Sequence, residues 1–360
     1  MIPHVKILLG REEENRVVEV LRGGMLAAGS YVNEFEQEFK KYNHSPHAIA
    51  TSSGTTALHV ILAALDIGFG DKVLTTPFSF IATANAILYT GATPVFVDID
   101  PVTYNLSPAR LEVAAEKHPE AKAVLVVHLY GLPADMPAIM AVANKHNLVV
   151  VEDCAQAHGA AYQGQPVGNF GKAAAFSFYP TKNMTAGEGG MVVTGDPAMA
   201  EKVRILVNQG QRKRYHHELV GYNYRMTNIH AAIGLEQLKK LGMFNEKRKK
   251  HAKFYEDFII NPLLQKPQAP PDRTHVYHQY TLKVTNRDDF AAYLTENGIG
   301  YGIHYPLIIP AQPAYRNMPC SAGTWQEAEN LASSCISIPV HPALTESNLS
   351  TIVETINHYR

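Results

Sequence analysis

The sequence predicts an α/β protein, with a large doubly wound, mostly parallel sheet domain followed by a smaller α+β unit. Three observations carry this reading. Strand-like and helix-like segments alternate from about His47 onward. Two of the strand segments, "AVLVVHLYG" (123–131) and "NLVVVEDC" (147–154), are almost wholly apolar. The alternation then stops after about Leu241. Near-continuous apolar strands are buried on both faces, as in parallel sheets covered by helices, and strands alternating with helices build the layered α/β class.

The elements follow in chain order. "HAIATSS" (47–53) is a strand pattern and "GTTALHVILAAL" (54–65) has helical spacing. "KVLTT" (72–76) is the next strand, "ATANAILY" (82–89) a helix and "TPVFVDI" (93–99) a strand. Ser107-Pro108 is a helix start, because a serine caps and a proline fits the first helical position. Beyond Leu241, "NEKRKKHAKFYEDFI" (245–259) reads as a charged connecting helix and the proline-rich 263–275 as a loop. "YHQYTLKV" (277–284) reads as a strand, and Arg287–Glu296 as a helix closed by Asn297-Gly298. Residues 304–316 read as an irregular loop and 345–359 as a final helix. The expected division is an N-terminal arm (1–11), the large domain (12–241) and a small C-terminal domain (242–360).

Composition narrows the function classes. With 360 residues, 46% apolar and 18% charged, the chain is long enough for two packed cores. Its 32 basic and 33 acidic residues give a net charge of -1. That balance gives no support to a nucleic-acid or membrane partner. The three cysteines, Cys154, Cys320 and Cys335, form no CxxC pair, which argues against a disulfide framework or a zinc site. No signal-like or membrane-length apolar stretch is seen, so a reduced, cytoplasmic, soluble protein is expected.

Ligands of open α/β sheets collect at the carboxyl ends of the strands, and four features fall there. "SSGTTA" (52–57) joins a strand to a helix, so its N–H groups form an anion site suited to a phosphate; taken alone, an ordinary Ser/Thr helix cap is the favoured reading. Asp153 ends a buried strand, where a carboxylate needs a partner. That partner is either a backbone N–H or a protonated ring nitrogen. Ser177, in "FSF" (176–178), offers a hydroxyl. Lys182, in "FSFYPTKNMTAGEGG" (176–190), is either a solvated loop lysine or one held for chemistry with a carbonyl. Taken together the four describe a ligand with an anionic group, a basic ring nitrogen and an aldehyde. Pyridoxal 5'-phosphate has all three.

The chain also closely resembles the DegT/StrS sugar aminotransferases, pyridoxal-phosphate enzymes of fold type I. The resemblance runs through "GSYVNEFEQEF" (29–39), "SSGTTAL" (52–58), "GDKVLTTPFSFIATANAI" (70–87) and "GATPVFVDIDPVTYNL" (91–106). It continues in "VEDCAQAHGA" (151–160), "FSFYPTKNMTAGEGGMVVT" (176–194), "GYNYRMTNIHAAIGLEQL" (221–238) and "HYP" (304–306). It implies that Lys182 holds the cofactor as a Schiff base, that Asp153 pairs with the pyridine nitrogen and that Gln156 contacts the ring oxygen or one ring face. Phe80 would stack on the other face. Gly54, Thr55 and Ser177 would bind the phosphate, with Asn223 reaching it from a partner subunit in a homodimer with shared active sites. Arg225, His304 and Tyr305 would lie near the substrate. Family members that are sugar dehydratases carry histidine where this chain has Lys182, so transamination is favoured.

The expected reaction moves an amino group, with glutamate as donor, to a 3-keto or 4-keto sugar linked to a nucleotide. Two alternatives stand beside it: a keto-cyclitol acceptor, and a cofactor-binding sensor without catalysis. "QGQRKRYHH" (209–217) is either a solvated loop or a cationic flap over an anionic substrate. His216-His217 lacks further ligands at zinc spacing, and no metal is expected. Cys154 lies on the strand face opposite Asp153 and is expected to pack in the core.

Overall fold

A computed structural model describes residues 1–360. Its centre is a seven-stranded sheet. In chain order the strands are β1 (His47–Thr51), β2 (Lys72–Thr75), β3 (Thr93–Phe96), β4 (Ala121–Val127), β5 (Val149–Asp153), β6 (Ala173–Ser177) and β7 (Gly190–Thr194). Their order across the sheet is β1-β7-β6-β5-β4-β2-β3. Neighbours from β6 to β3 run parallel. β7 is the exception, antiparallel to both β6 and β1.

Helices cover both faces. The first two are α1 (Arg11–Gly23) and α2 (Ser30–Asn43). α3 (Gly54–Ala64), α4 (Ala82–Tyr89), α5 (Pro108–Lys117), α6 (Met136–Lys145), α7 (Pro197–Val207) and α8 (Asn228–Phe258) follow. The two-residue period of the strands sorts the core. Ala173, Ala175 and Val192 pack with α3 and α7 on one face. Ala174, Phe176, Met191 and Val193 pack with α2 and α8 on the other. On that same face Val124, Val126 and Val150 meet α5 and α6. The doubly wound α/β class is therefore observed.

This topology gathers one edge. The carboxyl end of β5 carries Asp153 and that of β6 carries Ser177, while β1 runs into the N-terminus of α3. Because β7 is antiparallel, its first residue, Gly190, pairs with both Thr51 and Ser177. The connection from β6 to β7, which contains Lys182, must therefore turn at this edge. Hydrogen bonds fix the turn: Phe178 N–H to the Gly189 carbonyl (2.9 Å) and Lys182 N–H to the Tyr179 carbonyl (2.9 Å). The Asn183 amide adds bonds to Asn245 Oδ1 (2.9 Å) and the Val276 carbonyl (3.0 Å). Gly189 has φ +153°, and a Cβ there would stand 2.6 Å from Met226 Cε, so only glycine closes this turn without displacement.

The smaller unit pairs β8 (Tyr280–Val284) with β9 (Cys335–Ile338) and with a short Leu264–Gln265 strand. α9 (Arg287–Glu296), α10 (Gln326–Ser334) and α11 (Glu346–His358) complete it. Residues 1–10 form an arm that reaches this unit, with Ile2 N–H bonded to the Gly298 carbonyl (2.8 Å).

Several expectations change. The 245–259 connector is not a separate helix but the second half of α8, which runs 31 residues without a break. Leu238 and Leu241 pack on the large sheet, whereas Ala252 and Tyr255 pack in the core of the smaller unit. The change of pattern near Leu241 marks a change of packing partner along one helix. The 263–275 stretch is not all loop, since Leu264–Gln265 pairs with β8 and Arg273–Thr274 with Ala161–Tyr162. The strand expected over 123–131 stops at Val127. There His128 takes the Ala134 N–H on Nδ1 (3.0 Å) and Tyr130 turns to φ 57°.

Phe35 and Phe39 of α2 meet Phe176 and Phe178 in one aromatic cluster directly beneath the Lys182 turn, with ring centroids 5.0–5.5 Å apart across the interface. Phe35 is fully buried against Gly234 of α8, where a Cβ would stand 2.8 Å from its ring. Phe35→Ala should cost about 3–5 kcal/mol through lost burial and the cavity left behind. Chemical denaturation of the variant checks this, and a loss below about 1 kcal/mol, the scale of ordinary surface substitutions, would contradict the packing described.

Candidate active site

A cavity of about 580 Å³ opens at this edge of the sheet. Gly54, Thr55, Phe80, Asp153, Gln156, Ser177, Lys182, His304 and Tyr305 all line it. Nine residues spread over 250 positions of sequence thus converge on one space. Asn223 and Arg225 do not line the cavity of their own chain. Asn223 is exposed and bridges to Asn208, and Arg225 Nη1 donates to Asn208 Oδ1 (2.9 Å).

The phosphate-type cradle is built by the β1–α3 junction. Ser53 caps α3, taking the Thr56 N–H on its hydroxyl (3.1 Å). The Gly54 and Thr55 N–H groups have no partner in the chain, which leaves them free at the positive end of the helix. Gly54 is required here because a Cβ would stand 2.6 Å from Ser177 Cβ. Ser177 therefore approaches the helix end closely.

Asp153 and Lys182 line the same cavity as this cradle and influence one another. Burial pushes the Asp153 carboxyl above its usual range, opposed by the Ala155 N–H, the Thr83 hydroxyl and the Lys182 charge. Burial pushes Lys182 down to about 8, opposed by the Asp153 anion. A substantial share of such an amine is neutral near pH 7.5, on the order of a hundredfold more than for a solvent lysine. The neighbouring imidazoles add no positive charge. His304 is pushed down to about 4 by burial and by Lys182, and His278 falls well below its ordinary value for the same reasons. The amine is thus a nucleophile and a proton carrier at physiological pH.

Gln156 is pinned at both ends. Its Oε1 accepts from the Tyr130 N–H (2.6 Å) and its Nε2 donates to the Tyr305 hydroxyl (2.9 Å). The Tyr130 hydroxyl donates to the His304 carbonyl, tying the 304–305 segment to the sheet. Phe80 is half exposed, with its ring 6.2 Å from that of Tyr305. Ser79, Thr83, His278 and Glu188 also line the cavity and were missed from sequence.

The basic 209–217 stretch forms a small hairpin, Gln211–Lys213 with His216–His217. Arg212 is paired with Glu201 (2.5 Å) and Glu218 (3.1 Å), so part of its charge is spent within the chain. Cys154 is fully buried in the core, as its strand parity required. No helix is long and apolar enough to cross a membrane.

The electrostatics give a direct test. In cofactor-free protein, acylation of Lys182 by an amine-directed reagent, read by peptide mass spectrometry, should rise with a midpoint near pH 8, not the 10.5 of a solvent lysine. Asp153→Asn removes the anion that favours the ammonium, so the midpoint should fall further. A midpoint near the solvent value, or an upward move in the variant, would overturn the coupling.

Comparison with known proteins agrees with this geometry. The profile of the DegT/DnrJ/EryC1/StrS aminotransferase family matches residues 8–357. The chain is 42% identical to a pleiotropic regulatory protein of Geobacillus stearothermophilus, over 95% of this chain and 92% of that one. It is 41% identical to a UDP-N-acetyl-3-dehydro-alpha-D-glucosamine 3-aminotransferase of Acidithiobacillus ferrooxidans, over 94% and 91%. Among solved structures, S. venezuelae DesV superposes with a TM-score of 0.94 at 37% identity, covering 99% of this chain and 98% of that one. The chain belongs to the DegT/DnrJ/EryC1/StrS family and is an aminotransferase.

Proposed function

We propose that this enzyme uses pyridoxal 5'-phosphate to move an amino group from glutamate to the keto carbon of a nucleotide-linked sugar. The observation that carries the reading is that the part-buried Lys182, the buried Asp153 and a free helix N-terminus line one cavity. The donor set fits the cofactor group by group: an amine largely ready to react, a carboxylate for a ring nitrogen, and N–H and hydroxyl donors for a phosphate. When bound, the cofactor supplies an aldehyde and a ring that accepts the electron pair left as a proton leaves the substrate carbon.

The chain's own groups do the rest. Asp153 keeps a proton on the ring nitrogen, since an opposite charge favours the charged form. Lys182 would hold the aldehyde as a Schiff base and, as a free amine, would serve as the group that takes up and returns a proton. Gly54, Thr55 and Ser177 hold the phosphate. Phe80, half exposed in the cavity wall, would cover one ring face. Gln156 meets the ring with an amide already fixed by Tyr130 and Tyr305. His304 and Tyr305 border the substrate. The keto-sugar acceptor is supported by the 3-aminotransferase activity named for the A. ferrooxidans relative, and the carbon aminated is the 3- or 4-position.

The working unit we propose is a homodimer with shared sites. Asn223 is exposed and absent from its own cavity, and Tyr215 and Val220 beside it are 79% and 93% exposed. Asn223 and Arg225 then serve the partner's cavity. The reading as a sensor is supported by the regulatory names of two relatives, that of G. stearothermophilus and a sensory transduction protein of Saccharopolyspora erythraea.

Two experiments test these readings. Glutamate should convert the absorption of the lysine-bound cofactor to that of the amine form, and a keto-sugar nucleotide should restore it. Lys182→Ala should abolish both changes. Bound cofactor that glutamate leaves unchanged would favour the sensor, whereas conversion by glutamate without return by any keto-sugar nucleotide would favour another acceptor such as a keto-cyclitol. For the dimer, Lys182→Ala and Asn223→Asp homodimers should each be inactive, because one lacks the amine and the other sets a carboxylate against a phosphate. Co-expressed mixed dimers contain one site with both lesions and one with neither, so activity should return. Mixed dimers that stay inactive would count against shared sites.

A further inference from the structure

We infer that Thr83 is a positioning residue for Asp153, holding and polarising its carboxylate through a two-hydroxyl chain that begins at Ser79. This rests on the proposed pairing of Asp153 with a cofactor ring nitrogen. The Thr83 hydroxyl donates to Asp153 Oδ2 (2.9 Å), and Ser79 Oγ lies 2.8 Å from Thr83 Oγ1. Thr83 is 1% exposed and Ser79 and Asp153 are each 5% exposed. All three nonetheless line the cavity.

Proton counting fixes the direction of the chain. A hydroxyl has one proton, and an anionic carboxylate only accepts. Thr83 gives its proton to Asp153, so the Ser79 hydroxyl must donate to Thr83. The Ala155 N–H occupies Oδ1 (3.1 Å). Each carboxylate oxygen therefore has one fixed donor and a lone pair remaining. With two bonds at its two oxygens the carboxylate plane cannot rotate, and a free lone pair stays available to the cavity.

Thr83 also favours the anion. Burial works against the charge of Asp153, and a donated hydrogen bond to the charged form works for it. A polarised chain of hydroxyls strengthens that bond in a low-dielectric setting. The residue that must be an anion to hold a ring proton is thus kept as one by a neutral neighbour. Thr83 comes from α4, whereas Asp153 ends β5, so the contact also locks the helix that follows Phe80 to the strand end opposite it.

The test is a double-mutant cycle read by equilibrium dialysis of pyridoxal 5'-phosphate against enzyme stripped of cofactor. Thr83→Val keeps the shape and removes the hydroxyl, and its cofactor Kd should rise at least about tenfold, as expected for a lost bond to a charged group. Thr83→Ser keeps the hydroxyl and should bind within about twofold of wild type. In an Asp153→Asn background, Thr83→Val should add no more than about twofold, because Thr83 acts through the carboxylate. A role limited to packing would weaken binding equally in both backgrounds and would not be rescued by serine. Should Thr83→Val fail to fold, Ser79→Ala gives the second reading, with an expected rise of about threefold from the lost polarising donor. Thr83→Val, or in its place Ser79→Ala, binding like wild type overturns this inference alone. Wild-type enzyme that takes up no cofactor overturns the proposed function and this inference with it.

Discussion

Two opposite charges share one buried cavity edge, and much of the molecule is arranged to keep them there. Lys182 held as an ammonium below pH 8 costs about 3 kcal/mol relative to a lysine in water. That penalty is relieved as pH rises from 8 toward 10.5, where the folded amine has lost its proton and the unfolded one has not. Asp153 carries the mirror-image burden, since burial raises it. Neither group would sit there alone. Each reduces the cost of the other, and the Thr83 hydroxyl and Ala155 N–H add hydrogen bonds to the Asp153 carboxylate.

The strand that carries Asp153 treats two adjacent carboxylates in opposite ways. Glu152 points to the other face of the sheet and is fully buried. Burial alone would push it up, yet His128 and the N–H groups of Gly168, Phe170 and Gly171 bring it below its ordinary range. Because His128 Nδ1 accepts from Ala134, its Nε2–H is the donor to Glu152. Glu152 therefore has its lone pairs filled and serves to tie the 168–171 loop and the end of β4 to β5. Asp153, one residue on, keeps lone pairs open toward the cavity. The two-residue period of a strand separates a structural anion from a reactive one.

The sheet topology and the long helix supply the frame. β7, inserted antiparallel between β1 and β6, brings the Lys182 turn to the edge where the parallel strands end. α8 packs on the large sheet with its first half and on the smaller unit with its second. His304 and Tyr305, which come from the smaller unit, therefore reach a cavity built by the larger one without a flexible linker between them. The Tyr130 hydroxyl on the His304 carbonyl and the Gln156–Tyr305 bond fasten that junction at the site itself.

The sequence by itself determined the α/β class, because strands buried on both faces must be apolar throughout and helices must show their own period. It determined the Ser107 and Ser53 caps and the elements over 82–89 and 287–296, where local chemistry is sufficient. It pointed to Lys182, Asp153, Ser177 and Gly54-Thr55 as one constellation, since each falls at a strand end and each has a distinct chemical demand. Tertiary structure alone decided the rest. Thr83 and Ser79 matter only because α4 lies against the end of β5, a contact between residues 70 apart that no local pattern records. The unbroken length of α8 was hidden because its apolar face changes partner near Leu241, which breaks the periodicity without breaking the helix. The 209–217 stretch could be read as a solvated loop or a cationic flap, and only the hairpin sets Glu201 and Glu218 beside Arg212. The physical reason is common to all three: periodicity and capping are written in neighbours along the chain, whereas the partner of a buried hydroxyl, a helix face or a charge is set by which distant segment packs against it.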